Sequence, residues 1–210
     1  MIRNPIAWQA VFIHWVNMAP LNVFLLLWGV PLMTLGMELD SSHVALVLTL
    51  ATVGSISAGP LHGVISAGLG RRRDAAALGT ALIIAVIHIW FFSSAEPRGF
   101  RAIAFLVLAM VLIMPAANYG FDTVREEAPL AVVSTATGLA NMGGFTATMI
   151  SAQLLGLLLD VHNVGTYTWS DFRFAWLAVL GTWAFGMVML CLCVSRTRRY
   201  NERVRDLRNV

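Results

Sequence analysis

The sequence predicts an all-α membrane protein of six transmembrane helices, and two observations carry that reading. Of the 210 residues, 58% are hydrophobic and only 12% are charged, with a mean hydropathy of +0.75. Ordinary soluble domains are about a quarter charged, and a water-soluble fold of this length needs far more polar surface than this chain offers. The apolar residues are also gathered into six runs, each near the roughly twenty residues that a helix needs to cross the hydrocarbon core. Lipid is therefore the expected solvent for most of the chain.

A short amphipathic lead over residues 2–9 precedes the first run, 11–37. That run is too long for a signal peptide, and no small-residue cleavage site comes after it. The second run covers 44–69, the third 75–92, the fourth 102–119, the fifth 135–159 and the sixth 174–194. The connections are short, and no linker or low-complexity tract marks a second domain. Residues 1–210 therefore read as one six-helix domain with a lead of 1–10 and a basic tail of 195–210. The tail alternates arginine with Glu202 and Asp206 and reads as a solvated topology anchor, in a form that could lie as a short helix on anionic headgroups.

Orientation comes from the arginines, because positive residues are retained on the cytoplasmic side. With the N-terminus inside, the cytoplasmic segments hold Arg3, Arg71, Arg72, Arg73, Arg125 and the six arginines from Arg196 to Arg208. The opposite side holds Arg98, Arg101 and Arg173, together with Glu38, Asp40, Glu96, Asp160 and Asp171. Trp90, Tyr167 and Trp169 fall near that outer boundary, where amphipathic rings prefer to lie. The expectation is a multi-pass protein of the plasma or inner membrane with both termini cytoplasmic. A pI of 9.4 would ordinarily raise nucleic-acid binding. Membrane topology accounts for the arginines better, so no nucleic-acid partner is expected. Cys191 and Cys193 lie inside the last run, give neither a disulfide framework nor a zinc site, and read as packing residues. No metal or cofactor is expected.

Between the second and third runs stands Gly63-Val-Ile-Ser-Ala-Gly-Leu-Gly-Arg-Arg-Arg73. A tight turn there needs glycine's backbone freedom. This stretch resembles the signature loop of the major facilitator superfamily, G-x-L-A-D-R-x-G-R-R. Gly63, Gly70, Arg71 and Arg72 match it, while Ala67 and Gly68 replace the acid and the first arginine. Trp28-Gly-Val-Pro31 resembles the seventh helix of such transporters. Val124-Arg-Glu-Glu127 with Ala136 to Phe145 is similar to their loop and eleventh helix, and Arg3-Asn-Pro5 to the end of their central loop. The likeness is to the C-terminal six-helix half, an inverted three-plus-three repeat. It implies secondary active transport of a small solute by alternating access, with the lipid bilayer, an unidentified small solute and a second six-helix half, self or separately encoded, as partners. Ala67 cannot supply the gate acid of that family, so Arg71, Arg72 and Arg73 read as topology determinants.

Transporters of this kind place the solute near the midplane, and polar side chains inside a span are costly in lipid without a purpose or a partner. His14 and Asn17, three apart, share a helical face that continues through Leu21 and Trp28; Asn22 lies off it. Asn118 and Asn141 stand on the fourth and fifth runs. These five, His14, Asn17, Asn22, Asn118 and Asn141, are the candidate substrate pathway, with Asn17 and Asn141 expected on a cavity face. Gln153 and His88 read instead as hydrogen bonds to neighbouring helices, and His62 as a polar helix-end residue. Gly138, Gly143 and Gly144 are expected to admit a close helix, with Thr52, Gly54 and Gly59 as a fainter echo.

No carboxylate or arginine lies deep inside any of these runs, so no proton relay or anion clamp is expected. The chain lacks H-E-x-x-H, G-x-S-x-G and P-loop motifs, and it does not read as an enzyme. One bundle has no opposite wall. The expectations are therefore self-pairing or pairing with a separate half, a truncated transporter fragment, or a six-helix membrane scaffold that binds partners and moves nothing.

Overall fold

In the computed structural model, residues 4–161 and 167–208 are described, with the side chains of 71, 204, 205, 207 and 208 excepted. Asn4 opens α1 (Pro5–Gly36) by accepting the Ile6 amide at 3.0 Å, and Pro5 stands in the first turn, where no N–H is needed. From Pro5 onward the amphipathic lead is thus part of the first membrane helix. Asp40 opens α2 (Ser41–Leu69) in the same way, through the His43 amide at 2.9 Å. Gly70, with φ of +49°, ends it, a backbone state that glycine enters without a side-chain clash. The remaining helices are α3 (Arg73–Phe92), α4 (Phe100–Glu127), α5 (Leu130–Leu159) and α6 (Trp169–Arg203), the last continuing as helix to Arg208. All six are long and apolar enough to cross a membrane, and no strand occurs among the described residues. The chain is an all-α, multi-pass membrane protein.

Several helices run past the apolar runs that announce them, and in α4 and α6 the local cause is visible. Pro115 withholds an N–H, α4 tightens to a 3₁₀ turn over Met114–Asn118, and it then continues from Tyr119 to Glu127 as an amphipathic end. In α6, Thr168 and Asp171 form a reciprocal capping box five residues ahead of the hydropathic start.

The pairing of helices has an internal order. α1 is central, packed most closely on α5 and also on α6 and α4; α4 packs on α1, α2 and α3; α5 and α6 pack on each other, whereas α2 and α3 barely touch. Exchanging the first three helices for the last three carries the partners of α1 onto those of α4, but it does not carry the α5–α6 contact onto α2 and α3. Glycines let the partners close on α1. A Cβ at Gly143 would stand 2.7 Å from Val11 Cγ1, one at Gly144 would stand 2.6 Å from the Met18 sulfur, one at Gly120 would stand 3.0 Å from the Ala10 backbone, and one at Gly186 would meet the Trp15 ring. Gly143 and Gly144 therefore do what their spacing suggested, whereas Gly138 faces open space. Gly54 packs against Leu108 and Val111, but Gly59 is open.

The largest core cluster lies toward the end of the bundle away from the termini, where Phe92 stacks on Trp176 at 4.7 Å and on Trp169 at 5.7 Å. Outward-facing Val53, Ile56, Val64, Val86 and Met149 are exposed. In water they would form an aggregation-prone shell; in a bilayer they are the lipid face.

Candidate functional site

Polar side chains within the spans fall into three groups. In the first, they are consumed as ties between helices. Asn17 is fully buried; its amide donates to Ile13 O at 3.1 Å and Ala77 O at 3.2 Å, and its carbonyl accepts the Thr80 hydroxyl at 2.9 Å. It binds α1 to α3 and spends its amide and carbonyl on that tie, where a cavity face was expected. Trp15 and Trp28 donate to Thr182 O and Ala152 O, at 2.9 and 3.0 Å, and so tie α1 to α6 and α5. The stripe of His14, Asn17, Leu21 and Trp28 is broken after Leu21, because a π turn at Phe24–Trp28 inserts a residue that rotates Trp28 about the helix axis; a second π turn lies beyond it at Leu32–Gly36. His14 is buried with its ring 4.1 Å from that of Phe121, and its Nδ1 has no partner among the described residues. His88 donates through Nδ1 to Ile84 O on its own helix, so it makes no tie. Asn22 is nearly buried. Asn141 and Gln153 are exposed on the outside of α5.

The second group forms a groove along the side of the bundle between α2 and α4, floored by Leu21 and Leu25 of α1. It consists of two contiguous hollows of about 370 Å³ each, which share Gly59, Pro115 and Asn118. Thr52, Ser55 and Asn118 line it near the middle of α2 and past the middle of α4. Asn118 is thus the one residue of the five-membered expectation that the groove contains; His14, Asn17, Asn22 and Asn141 do not line it. Its wall toward the termini holds a hydrogen-bonded strut. His62 Nε2 donates to Leu112 O at 2.8 Å, and the Tyr119 hydroxyl meets His62 Nδ1 at 2.8 Å. A carbonyl can only accept, so the proton sits on Nε2 and the hydroxyl donates to Nδ1. In the 3₁₀ register Leu112 O would look to residue 115, a proline without an N–H. His62 takes the place of that donor and is no helix-end residue.

The third group closes the end of the bundle that carries both termini. Arg73 is buried; its Nε donates to Ser66 Oγ at 2.8 Å and Ser66 O at 3.0 Å, and its guanidinium pairs with Glu126. The Ser66 hydroxyl donates to Asp122 at 2.6 Å, which also receives Arg125. Arg198 of α6 reaches Asp74 at 2.9 Å. Arg73 is therefore a cross-helix tie as well as a basic end residue, Arg72 is exposed, and the Arg71 side chain lies outside the described residues. Of the expected signature loop, Gly63 borders the groove and Gly70 supplies the turn. Asp122 and Glu126, absent from the sequence-based candidates, come after Tyr119 at helical spacing; that periodicity was the available signal.

No protein-family model, curated protein or solved structure matches this chain.

Proposed function

We propose that this chain is one six-helix wall of a secondary transporter of the major-facilitator type, which moves a small solute by alternating access between itself and a second copy. The observation that carries the reading is the α2–α4 groove. It sets the Asn118 amide open on the side of the bundle at membrane depth, beside Thr52 and Ser55, whose hydroxyls donate to Leu48 O and Thr52 O of their own helix; an amide left to hydrocarbon is costly. A facing wall would turn that cost into a wet path. The correspondence between the partners of α1 and those of α4 supports the same reading, since repeats of this kind place their sites at a bundle interface. In this arrangement Asn118 and Ser55 offer hydrogen bonds to the solute, the His62–Tyr119 strut holds α2 to α4 beside it, and the Arg73 cluster locks the cytoplasmic end. The arginine distribution puts both termini in the cytoplasm of a cell with this protein in its plasma or inner membrane.

The test is uptake by vesicles containing only this chain, run with labelled sugars, amino acids, organic acids and organic cations. Saturable uptake of one class, reduced several-fold by Asn118→Ala without loss of membrane insertion, is the expected result. Vesicles that take up none of the four, with the protein monomeric in the bilayer, contradict the proposal and leave the scaffold or fragment account.

A further inference from the structure

At the end of the bundle away from the termini, the chain carries three arginines where its topology gives no reason for them; Arg173 donates to Phe92 O. Arg98 and Arg101 flank Gly99, which has φ of +76° and turns the loop into α4. They line an open groove of about 500 Å³ with Trp90, Ser94, Ala102 and Phe105. Arg98 is held in place. Its guanidinium carbon lies 4.8 Å over the Trp90 ring, Nε donates to Phe91 O at 3.2 Å, and Nη2 donates to Ser93 Oγ at 3.2 Å. Nη1 forms no bond among the described residues. Arg101 is exposed and has no partner among them. Glu96 in the same loop pairs with neither, and the first turn of α4 contains no acidic residue. Two positive charges, one of them held in place, therefore share this groove with no ion pair among the described residues.

Just below them, toward the membrane interior, the surface is apolar. Trp90 and Phe105 meet edge to face at 5.7 Å and are both exposed, at 41% and 54%, and Val86 is exposed one helical turn further down α3. The groove thus joins a cationic top, at the level where α3 ends and α4 begins, to an aromatic and aliphatic wall that runs into the hydrocarbon. Headgroup phosphates lie at that level, and tryptophan prefers it. A guanidinium recognises a phosphate oxygen pair through paired N–H donors.

We propose that this groove binds the phosphodiester of one anionic phospholipid, with Arg101 and the free edge of Arg98 on the phosphate and the first acyl carbons against Trp90 and Phe105. The occupant is a lipid rather than free phosphate because half of the groove is apolar and oriented along the helices. The site is independent of the transport reading. It also gives Arg98 and Arg101 a reason to be retained on the less basic side.

The experiment is native mass spectrometry and thermal melting of the delipidated full chain in mild detergent, on re-addition of dioleoyl phosphatidylglycerol, dioleoyl phosphatidylcholine or inorganic phosphate. One phosphatidylglycerol per chain should be retained above the phosphatidylcholine level, and it should raise the melting temperature. Arg101→Gln, which removes no bond within the protein, should weaken retention about tenfold, the effect of one lost charge-assisted hydrogen bond, while melting unchanged without lipid. Arg72→Gln at the other end should retain lipid as the wild type does. Equal retention by wild type and Arg101→Gln would overturn the proposal. So would displacement of the lipid by inorganic phosphate, or an equal fall in the lipid-free melting temperature of Arg101→Gln.

Discussion

Replacing Gly143 with alanine tests the central packing feature, the close approach of α5 to α1. An added Cβ would sit 2.7 Å from Val11 Cγ1 and 2.9 Å from Val11 O. Ordinary contact is about 3.5–4.0 Å, so α1 and α5 must separate by roughly 1 Å; a change of the Val11 rotamer would leave the contact with its carbonyl oxygen. Overpacking of this kind costs about 1–3 kcal/mol. Alanine also gains about 1 kcal/mol of helix propensity over glycine, which would mask part of the loss. Gly138→Ala supplies the control, since it lies on the same helix with nothing within 4 Å. The difference between the two variants cancels propensity and leaves packing. It should appear as about 1–3 kcal/mol, or about 2–12 °C in melting temperature for a chain of this size, with Gly143→Ala the lower. Melting of both purified variants in one detergent is the assay. Coincident curves would mean that α5 does not approach α1 as described.

Arg73→Gln should cost several kcal/mol in detergent unfolding, because it removes two bonds to Ser66 and the pairing with Glu126 from a buried guanidinium, whereas Arg72→Gln should melt as the wild type does. Tyr119→Phe removes the donor to His62 Nδ1 and should lower stability by about 1–2 kcal/mol; an unchanged melting curve would show the strut to be idle. Asn17→Ala should cost a similar amount or more by leaving the Thr80 hydroxyl and two carbonyls with one fewer partner, and any loss of uptake should track that loss of fold. At the α2 start, the Ser42 hydroxyl, then the His43 amide and ring, hold Asp40 well below the ordinary carboxylate range. A depressed acid contributes above its unfolded value, about 4, and its contribution fades only as pH falls through the lower folded value. Amide exchange in the first turn of α2 should therefore stay slow at mildly acidic pH and become fast in Asp40→Ala at any pH.

The number, order and rough positions of the helices were legible because crossing hydrocarbon needs long apolar runs, and every such run is visible in a linear reading. What that reading underestimates is helix that leaves the hydrocarbon. Tyr119 to Glu127 is too polar to register as a span, yet it carries Asp122 and Glu126, which hold Arg73. The assignment of Asn17 to a cavity face failed for a related reason. Hydropathy marks a polar residue as costly, but whether a neighbouring helix or a solute satisfies it depends on packing, and here Ala77 and Thr80 of α3 do so. Asn141 and Asn118 look alike in sequence. Only the α2–α4 hollow, shaped by Pro115 and Gly59, separates them. Phasing along α1 was unreadable past Val23, because the π turns there shift every later side chain.

Thiol labelling in intact vesicles decides whether the α2–α4 groove is a path for solute. On a background with Cys191→Ala and Cys193→Ala, the Ser55→Cys and Val53→Cys variants place sulfur two residues apart on α2, one in the groove and the other on the exposed apolar face. A charged, membrane-impermeant reagent should modify the Ser55→Cys variant and spare the Val53→Cys variant, because only the groove admits water. If the two stay equally inert, the groove faces lipid and the transport account is wrong.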